Sequence, residues 1–136
     1  MNTDWHGFPP NPYNPHALII EKVEIGENCW IGPFTVLDGS GGLRIGSNTE
    51  ISAGAQIYTH SSVKRAVSGG SLEIERAPTV IGKHVHIGAN AVILMGSQIG
   101  DYCTVGAGAV VTQFSIIASG STVVGVPARV IKHGED

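Results

Sequence analysis

The sequence has few charged residues, two cysteines and no long apolar run, and each shortage excludes a class of protein. Charged residues make up 14% of the 136 residues and the formal net charge is −3, so the chain offers no basic face for nucleic acid. No apolar run approaches the length that spans a bilayer, and no charged segment followed by an apolar one opens the chain. The sequence therefore predicts a single cytoplasmic domain with no nucleic-acid partner and no membrane insertion.

Glycine, by contrast, is abundant at 19 residues, and it accompanies a repeat of six residues. Eight aliphatic residues stand six apart in the second half of the chain, and a small or slim residue follows four places after each of the first seven. The aliphatic positions are Ile81, Ile87, Ile93, Ile99, Val105, Val111, Ile117 and Val123. A period of six fits neither a helix nor a free strand, and it is typical of a repeated unit made of one short strand and a turn.

The same period runs through the first half of the chain with two interruptions. The segment GSGGLR inserts two residues after Leu37, and the pattern is lost altogether between Ile57 and Ile81. The aliphatic positions here are Ile19, Ile25, Ile31 and Leu37, followed by Ile45, Ile51 and Ile57. The interval from about 61 to 79 predicts a loop that leaves the repeat, and loops of that length are usually functional.

Units of six residues predict an all-β, three-sided solenoid in which three units make one coil and each face is a parallel sheet. The aliphatic residues point inward, and coils stacked at about 4.8 Å give a rod of about four to five coils whose stability comes from neighbouring coils. Residues 1–18 predict a non-repetitive N-terminal cap, 19–124 the solenoid with its loop, and 125–136 a C-terminal tail. Cys29 and Cys103 fall at small inward positions, which indicates packing thiols rather than a disulfide or a metal pair.

Several stretches between about Ile19 and Lys132 carry a resemblance to a known family. They are VEIGENCWIGPFTVLDGSGGLRIG, ISAGAQIYTH, VIGKHVHIGANAVI, IGDYCTVGAGAVVT and VVGVPARVIK. These stretches resemble the hexapeptide-repeat acyltransferases, in particular the branch of galactoside, maltose and lipopolysaccharide-sugar acetyltransferases. The combination of IYTH, a loop, GAGAVVT and GVPAR is the most specific part of this resemblance.

The resemblance implies a left-handed parallel β-helix with one long excursion loop and irregular terminal caps. It also implies a homotrimer with active sites in clefts between subunits, where acetyl-CoA is the acyl donor and no metal is needed. A hydroxyl or amino group, expected on a sugar or sugar nucleotide, would attack the thioester directly while a histidine acts as general base.

The residue that matches the general base of the relatives is His60, which follows Ile57-Tyr58-Thr59 at the last repeat before the loop. An imidazole with an ordinary pKa near 6.5 is largely neutral in the cytosol and can accept a proton. Many relatives carry an acidic residue directly after this histidine, but Ser61 stands here. An orienting carboxylate would then come from Glu73, Glu75 or a neighbouring subunit.

The resemblance also implies a set of residues that contact the cofactor. Gln113 replaces the lysine usual near the nucleotide phosphates, and Arg129 with Lys132 can compensate because guanidinium binds phosphate well. The residues expected to bind acetyl-CoA are His86, Ala89, Gly106, Ala107, Thr112, Gln113, Arg129 and Lys132.

Acceptor contacts are less defined, because Phe34 stands where galactoside-type relatives have a sugar-binding asparagine. Asp38 in LDGSGG could form a rim that approaches a sugar, but the segment favours a turn that accommodates the two-residue insertion. Tyr58, beside His60, could contact the acceptor or serve in packing. Asp38 and Tyr58 are therefore the candidate substrate-binding residues.

Two other classes of function compete with the acetyltransferase. His60, His84 and His86 could form a three-histidine zinc site, as in the γ-class carbonic anhydrases that share this repeat, but the histidine spacing differs. A non-catalytic solenoid used for assembly would carry the same repeat. That hypothesis predicts no acetyl-CoA binding and no effect of His60→Ala on any turnover.

Overall fold

The computed structural model describes residues 9–134, which form eighteen short strands and one helix. The first eight residues of the predicted cap and the last two of the predicted tail lie outside the described residues. In chain order the elements are β1 (Leu18–Ile20), β2 (Val23–Ile25), β3 (Trp30–Ile31), β4 (Val36–Asp38), β5 (Leu43–Ile45), β6 (Glu50–Ile51), β7 (Gln56–Ile57), β8 (His60–Ser61), α1 (Val63–Val67), β9 (Glu75–Arg76), β10 (Thr79–Ile81), β11 (His86–Ile87), β12 (Val92–Ile93), β13 (Gln98–Ile99), β14 (Thr104–Val105), β15 (Val110–Val111), β16 (Ile116–Ile117), β17 (Thr122–Val124) and β18 (Arg129–Lys132).

Three parallel sheets form the sides of a solenoid with five coils. The first sheet has the order β1-β4-β7-β12-β15, the second β2-β5-β10-β13-β16, and the third β3-β6-β11-β14-β17. The final strand, β18, adds to the third sheet by pairing antiparallel with β17. The predicted all-β, parallel β-helix is therefore confirmed.

The aliphatic residue of each unit points into the solenoid, as the six-residue period predicts. Matching residues of successive coils stack directly, as in the registers Ile51↔Ile87 and Ile93↔Val111. The thin core consists of these buried aliphatic residues, with small residues such as Ala55 and Ala91 in the corners. Each strand is short because the chain must turn after two or three residues to reach the next face.

The two interruptions of the sequence period fall on the same edge of the solenoid. Partner residues of the first sheet are 18 apart in Val92↔Val110, but 20 apart in Val36↔Gln56 and 36 apart in Gln56↔Val92. The two extra residues lie in the turn after β4. The longer addition, between β7 and β10, contains β8, α1 and β9 and is called the excursion below.

The excursion is fastened to the solenoid at its base. The backbone N–H of Ala77 donates to the carbonyl of Thr59 (3.0 Å), and the hydroxyl of Thr79 donates to the carbonyl of Tyr58 (2.9 Å). Thr59 and Thr79 are fully buried, whereas no residue of α1 is buried. The base of the excursion is thus part of the packed structure, while its helix faces solvent.

Among residues 9–134, no helix has the length and apolar character needed to cross a membrane.

Candidate active site

The predicted base, His60, lies where the excursion leaves the solenoid, directly above the turn that carries Asp38. Ring atom Nδ1 of His60 lies 2.5 Å from Oδ2 of Asp38. The Asp38 side chain is 0% exposed and the His60 side chain is 33% exposed. Because the carboxylate accepts a hydrogen bond from Nδ1–H, this contact favours the tautomer whose lone pair is on Nε2.

Hydrogen bonds to both carboxylate oxygens hold the Asp38 side chain in place. Its Oδ2 accepts from the backbone N–H of Thr59 (2.9 Å), and its Oδ1 accepts from the backbone N–H of Ser40 (2.9 Å). Burial of the carboxylate raises its pKa. The hydrogen bonds from Thr59, His60 and Ser40 outweigh burial and lower the pKa of Asp38 to about 2. Asp38 is therefore an anion at any pH near neutrality.

The glycine-rich insertion makes this arrangement possible. Gly41 donates its backbone N–H to the hydroxyl oxygen of Thr59 (2.8 Å), and a Cβ at Gly41 would collide with the Thr59 carbonyl oxygen. Gly42 has φ +99°, a region that favours glycine. The segment thus forms a tight turn that places a carboxylate beneath the root of the excursion.

The expectation that Glu73 or Glu75 orients the imidazole is wrong, because Asp38 occupies that position. Glu75 pairs instead with Lys64 (3.1 Å), and Glu73 is exposed. Because the Asp38 side chain is fully buried in this chain, its carboxylate has no exposed surface that an acceptor could contact. The sequence analysis did not predict this pair because its two residues are 22 positions apart. The coil spacing contained the signal: one coil of 18 residues plus the two inserted residues puts Asp38 directly below Tyr58, two residues before His60.

Tyr58 forms one wall beside the imidazole. Its ring meets the His60 ring edge-on, with centroids 5.9 Å apart, and its hydroxyl donates to Oε1 of Gln56 (2.5 Å). Burial, with a smaller contribution from the Asp38 carboxylate, raises the pKa of the Tyr58 phenol. The Tyr58 phenol therefore stays neutral and can donate a hydrogen bond, and its ring lines one side of the exposed part of His60.

The predicted cofactor residues lie on two edges of the solenoid and on the face of the third sheet. The histidine edge, formed by the turns after the first sheet, carries Asp38, Tyr58, His60, Thr112 and Gln113. The alanine edge, formed by the turns after the third sheet, carries Ala89, Gly106 and Ala107, with Arg129 near its upper end opposite Val124. Within one chain, the first sheet lies between the two edges.

The alanine edge exposes backbone donors. Ala89 and Ala107 are exposed, and neither backbone N–H has an acceptor within residues 9–134. The carbonyl of Ala89 accepts from Gly108 (2.8 Å), which ties adjacent coils together. Small side chains leave this edge narrow enough for an extended ligand to approach the backbone.

Two further predicted cofactor residues lie away from both edges. His86 points outward from β11 on the third sheet, where its Nδ1 lies 3.2 Å from Oε1 of Glu50. Lys132 lies at the far end of β18, opposite Thr122, and is exposed. The structure therefore groups the eight predicted residues into two edges and one face.

The three histidines proposed for a zinc site are not grouped in one chain. His84 lies in a turn after the second sheet and stacks on Tyr102, with ring centroids 4.8 Å apart and planes 5° apart. His86 faces Glu50, and His60 faces Asp38. In the part of the chain that the structure describes, no three His, Cys, Asp or Glu side chains form a cluster able to hold a metal ion.

Comparisons with known proteins agree with the six-residue repeat. The family described as bacterial transferase hexapeptide (six repeats) matches residues 78–113. The galactoside O-acetyltransferase of Escherichia coli (strain K12) is 28% identical over 96% of this chain and 74% of its own length. Further curated N-acetyltransferases match at 40% identity, but the match spans one third of their length.

Two solved structures that superpose well on this chain are also acyltransferases. A point mutant of AntD, an N-acyltransferase from Bacillus cereus in complex with dTDP-4-amino-4,6-dideoxyglucose and coenzyme A, superposes with a TM-score of 0.76 at 25% identity, covering 89% of this chain and 68% of that one. The hexapeptide-repeat acetyltransferase VCA0836 from Vibrio cholerae O1 biovar eltor, complexed with acetyl coenzyme A, gives 0.73 at 29% identity, covering 89% and 72%.

The fold and the repeat together define a hexapeptide-repeat β-solenoid protein. Over most of its length the chain is similar to hexapeptide-repeat acyltransferases, and solved relatives bind coenzyme A or acetyl coenzyme A.

Proposed function

We propose that this protein transfers an acetyl group from acetyl-CoA to a hydroxyl or amino group of a sugar or sugar nucleotide, with His60 as general base. The observation that carries the proposal is the contact between Nδ1 of His60 and the buried Asp38 carboxylate at the root of the excursion. This contact favours the neutral tautomer whose lone pair is on Nε2, and a general base accepts a proton through such a lone pair.

In the proposed reaction, the acceptor oxygen or nitrogen attacks the thioester carbonyl carbon while its proton passes to Nε2 of His60. The tetrahedral intermediate then collapses, the carbon–sulfur bond breaks, and the CoA sulfur leaves as a thiol after taking up that proton. Proton removal during the attack avoids a free alkoxide, and a base in this role commonly contributes roughly 10²- to 10⁴-fold.

Asp38 has a positioning role in this proposal. The imidazolium formed after proton transfer is stabilised by the adjacent carboxylate, which stays ionised because its pKa is about 2. Hydrogen bonds from Thr59 and Ser40 fix the carboxylate, so the imidazole is held against a rigid partner. Ser61, which stands where many relatives have an acidic residue, is not required for this role.

Acetyl-CoA would lie along the alanine edge, where the exposed N–H groups of Ala89 and Ala107 can donate to the two pantetheine amide carbonyls. Arg129, at the upper end of the same edge, can meet a phosphate, and Lys132 lies further along β18. Thr112 and Gln113 lie on the histidine edge instead. A cleft between two chains would bring the histidine edge of one chain against the alanine edge of its neighbour, which supports the proposed homotrimer with intersubunit sites.

The acceptor is proposed to be a sugar or sugar nucleotide, in keeping with the galactoside acetyltransferase and the sugar-nucleotide complex among the relatives. Tyr58 is proposed to contact it, since this ring stands beside the exposed part of His60. A cytoplasmic location remains a prediction from the sequence.

The test is an acceptor screen with purified protein, acetyl-CoA and amino sugars, nucleotide sugars or disaccharides, in which release of the free CoA thiol is followed. Acceptor-dependent thiol release is the expected result. Stoichiometric zinc bound through histidines would contradict the proposal, as would failure to bind acetyl-CoA.

A further inference from the structure

Arg76 lies directly opposite the proposed base. Strands β8 and β9 pair antiparallel with the register His60↔Arg76 and Ser61↔Glu75. Residues opposite each other in an antiparallel pair project from the same face, with Cβ atoms about 4.5–5.5 Å apart. The guanidinium group of Arg76 therefore extends from the same side of this two-stranded ribbon as the imidazole of His60.

The backbone of Arg76 is fixed although its side chain is exposed. The next residue, Ala77, donates its N–H to the carbonyl of Thr59 (3.0 Å), and Thr79 is fully buried. Thr59, in turn, precedes His60 and holds Asp38. The same packed base thus positions both the imidazole and the arginine.

The nearby carboxylates are already engaged by other groups. Glu75 projects from the opposite face of the ribbon and pairs with Lys64 (3.1 Å), while Asp38 is buried and accepts from Thr59, Ser40 and His60. Among residues 9–134, no side chain forms a hydrogen bond or an ion pair with the Arg76 guanidinium. The register therefore puts a cationic side chain, without a partner in the described part of the chain, on the same face of the ribbon as His60, in a chain whose net charge is −3.

We propose that Arg76 determines acceptor specificity by binding an anionic group, a phosphate or a carboxylate, on the molecule that His60 activates. This inference rests on the proposed acetyltransferase function and narrows its acceptor to a negatively charged one. The planar guanidinium presents paired N–H donors that match the oxygens of a phosphate or a carboxylate. An anion bound there places a hydroxyl or amino group of the same acceptor next to Nε2 of His60.

The experiment compares acceptors that differ in the anionic group alone: galactose, galactose 1-phosphate, UDP-galactose and galacturonic acid, together with the corresponding amino sugars. Wild-type protein, Arg76→Gln and Arg76→Lys are assayed for kcat and KM of the acceptor. Arg65→Gln is the matched control, because Arg65 is an exposed cation of the same excursion that lies in α1 and not opposite His60.

The wild-type protein is expected to prefer an anionic acceptor by roughly 10- to 100-fold in kcat/KM. Arg76→Gln should remove this preference by raising the KM of the anionic acceptors. Arg76→Lys should keep part of the preference, and Arg65→Gln all of it. Preference for the phosphate compounds over galacturonic acid would identify a phosphate as the anion; the reverse would identify a carboxylate.

An unchanged preference in Arg76→Gln would overturn the inference, as would an equal loss in Arg65→Gln or a rise in the KM of acetyl-CoA alone. Binding of galactose 1-phosphate and galacturonic acid, measured by calorimetry without acetyl-CoA, separates this inference from the proposed reaction. Loss of that binding in Arg76→Gln supports the inference even where no acetyl transfer is found, and retention of it contradicts the inference.

Discussion

The carboxylate of Asp38 lies one coil below the imidazole of His60, and the two groups are in contact although 22 residues separate them in the chain. The first residue belongs to a glycine-rich turn and the second to the root of the excursion. The contact joins the two places where the six-residue period is interrupted. The following experiments separate the contribution of each partner.

Asp38→Asn should lower kcat by roughly 10²- to 10⁴-fold while the KM of acetyl-CoA changes little. An asparagine amide can donate to Nδ1 and so favours the tautomer with the proton on Nε2, which cannot accept one. The measurement is steady-state kinetics, with Glu24→Gln as a control, since Glu24 is an exposed carboxylate paired with Arg44 on the second sheet. A variant with the wild-type kcat would exclude Asp38 from positioning the base.

His60→Ala should reduce turnover by roughly 10²- to 10⁴-fold and leave acetyl-CoA affinity and assembly nearly intact. His84→Ala is the matched control, because His84 stacks on Tyr102 in a turn after the second sheet. Turnover and calorimetric binding of acetyl-CoA are the two measurements. Full activity of the His60 variant would remove this residue from the mechanism.

Asp38 should also make the protein sensitive to acid. Its pKa falls from 3.8 to about 2 on folding, so its ionised form stabilises the folded state above pH 3.8, and that stabilisation is lost as the pH falls toward 2. The free energy involved is about 2 kcal/mol. Urea unfolding at pH 7, 4 and 2.5 should show this loss in the wild type and not in Asp38→Asn; parallel pH dependence in both would contradict it.

Arg129→Ala should raise the KM of acetyl-CoA by roughly 10-fold, and more than it lowers kcat. The guanidinium is exposed and donates within the chain to the carbonyl of Ala128 (3.2 Å). Arg44→Ala, on the second sheet, controls for the loss of one charge. If the variant's defect is the same with acetyl-dephospho-CoA as with acetyl-CoA, Arg129 does not contact the 3′-phosphate.

Gly41→Ala should destabilise the folded protein by about 1–3 kcal/mol and lower turnover, because the added methyl group collides with the carbonyl of Thr59 and displaces the base of the excursion. The comparison is Gly69→Ala, in which the added methyl group meets no atom within 4 Å, although φ is +68°. Unfolding free energy and kcat are measured for both. A Gly41→Ala variant with the wild-type kcat would show that activity does not require the close approach of this turn to the Thr59 carbonyl.

The aliphatic repeat was sufficient to predict the fold, since a six-residue period has few structural solutions and inward residues such as Ile57 and Ile87 are buried as expected. The position of His60 followed from its motif. Its partner was not predicted, because Asp38 reaches it through the stacking of coils rather than along the chain. Arg76 was also missed, since only the pairing of β8 with β9 brings it opposite His60.

The hydrogen bond between Ala77 and Thr59 closes the excursion at its base, so everything beyond it leaves and re-enters the solenoid at one fixed point. The coils before and after the excursion stack directly on each other, with Ile57 paired to Ile93. Under the proposed function, exchange of this segment would change the acceptor while the solenoid and the alanine edge stay the same. Grafting excursions between relatives is a practical route to new acceptors on an already stable framework.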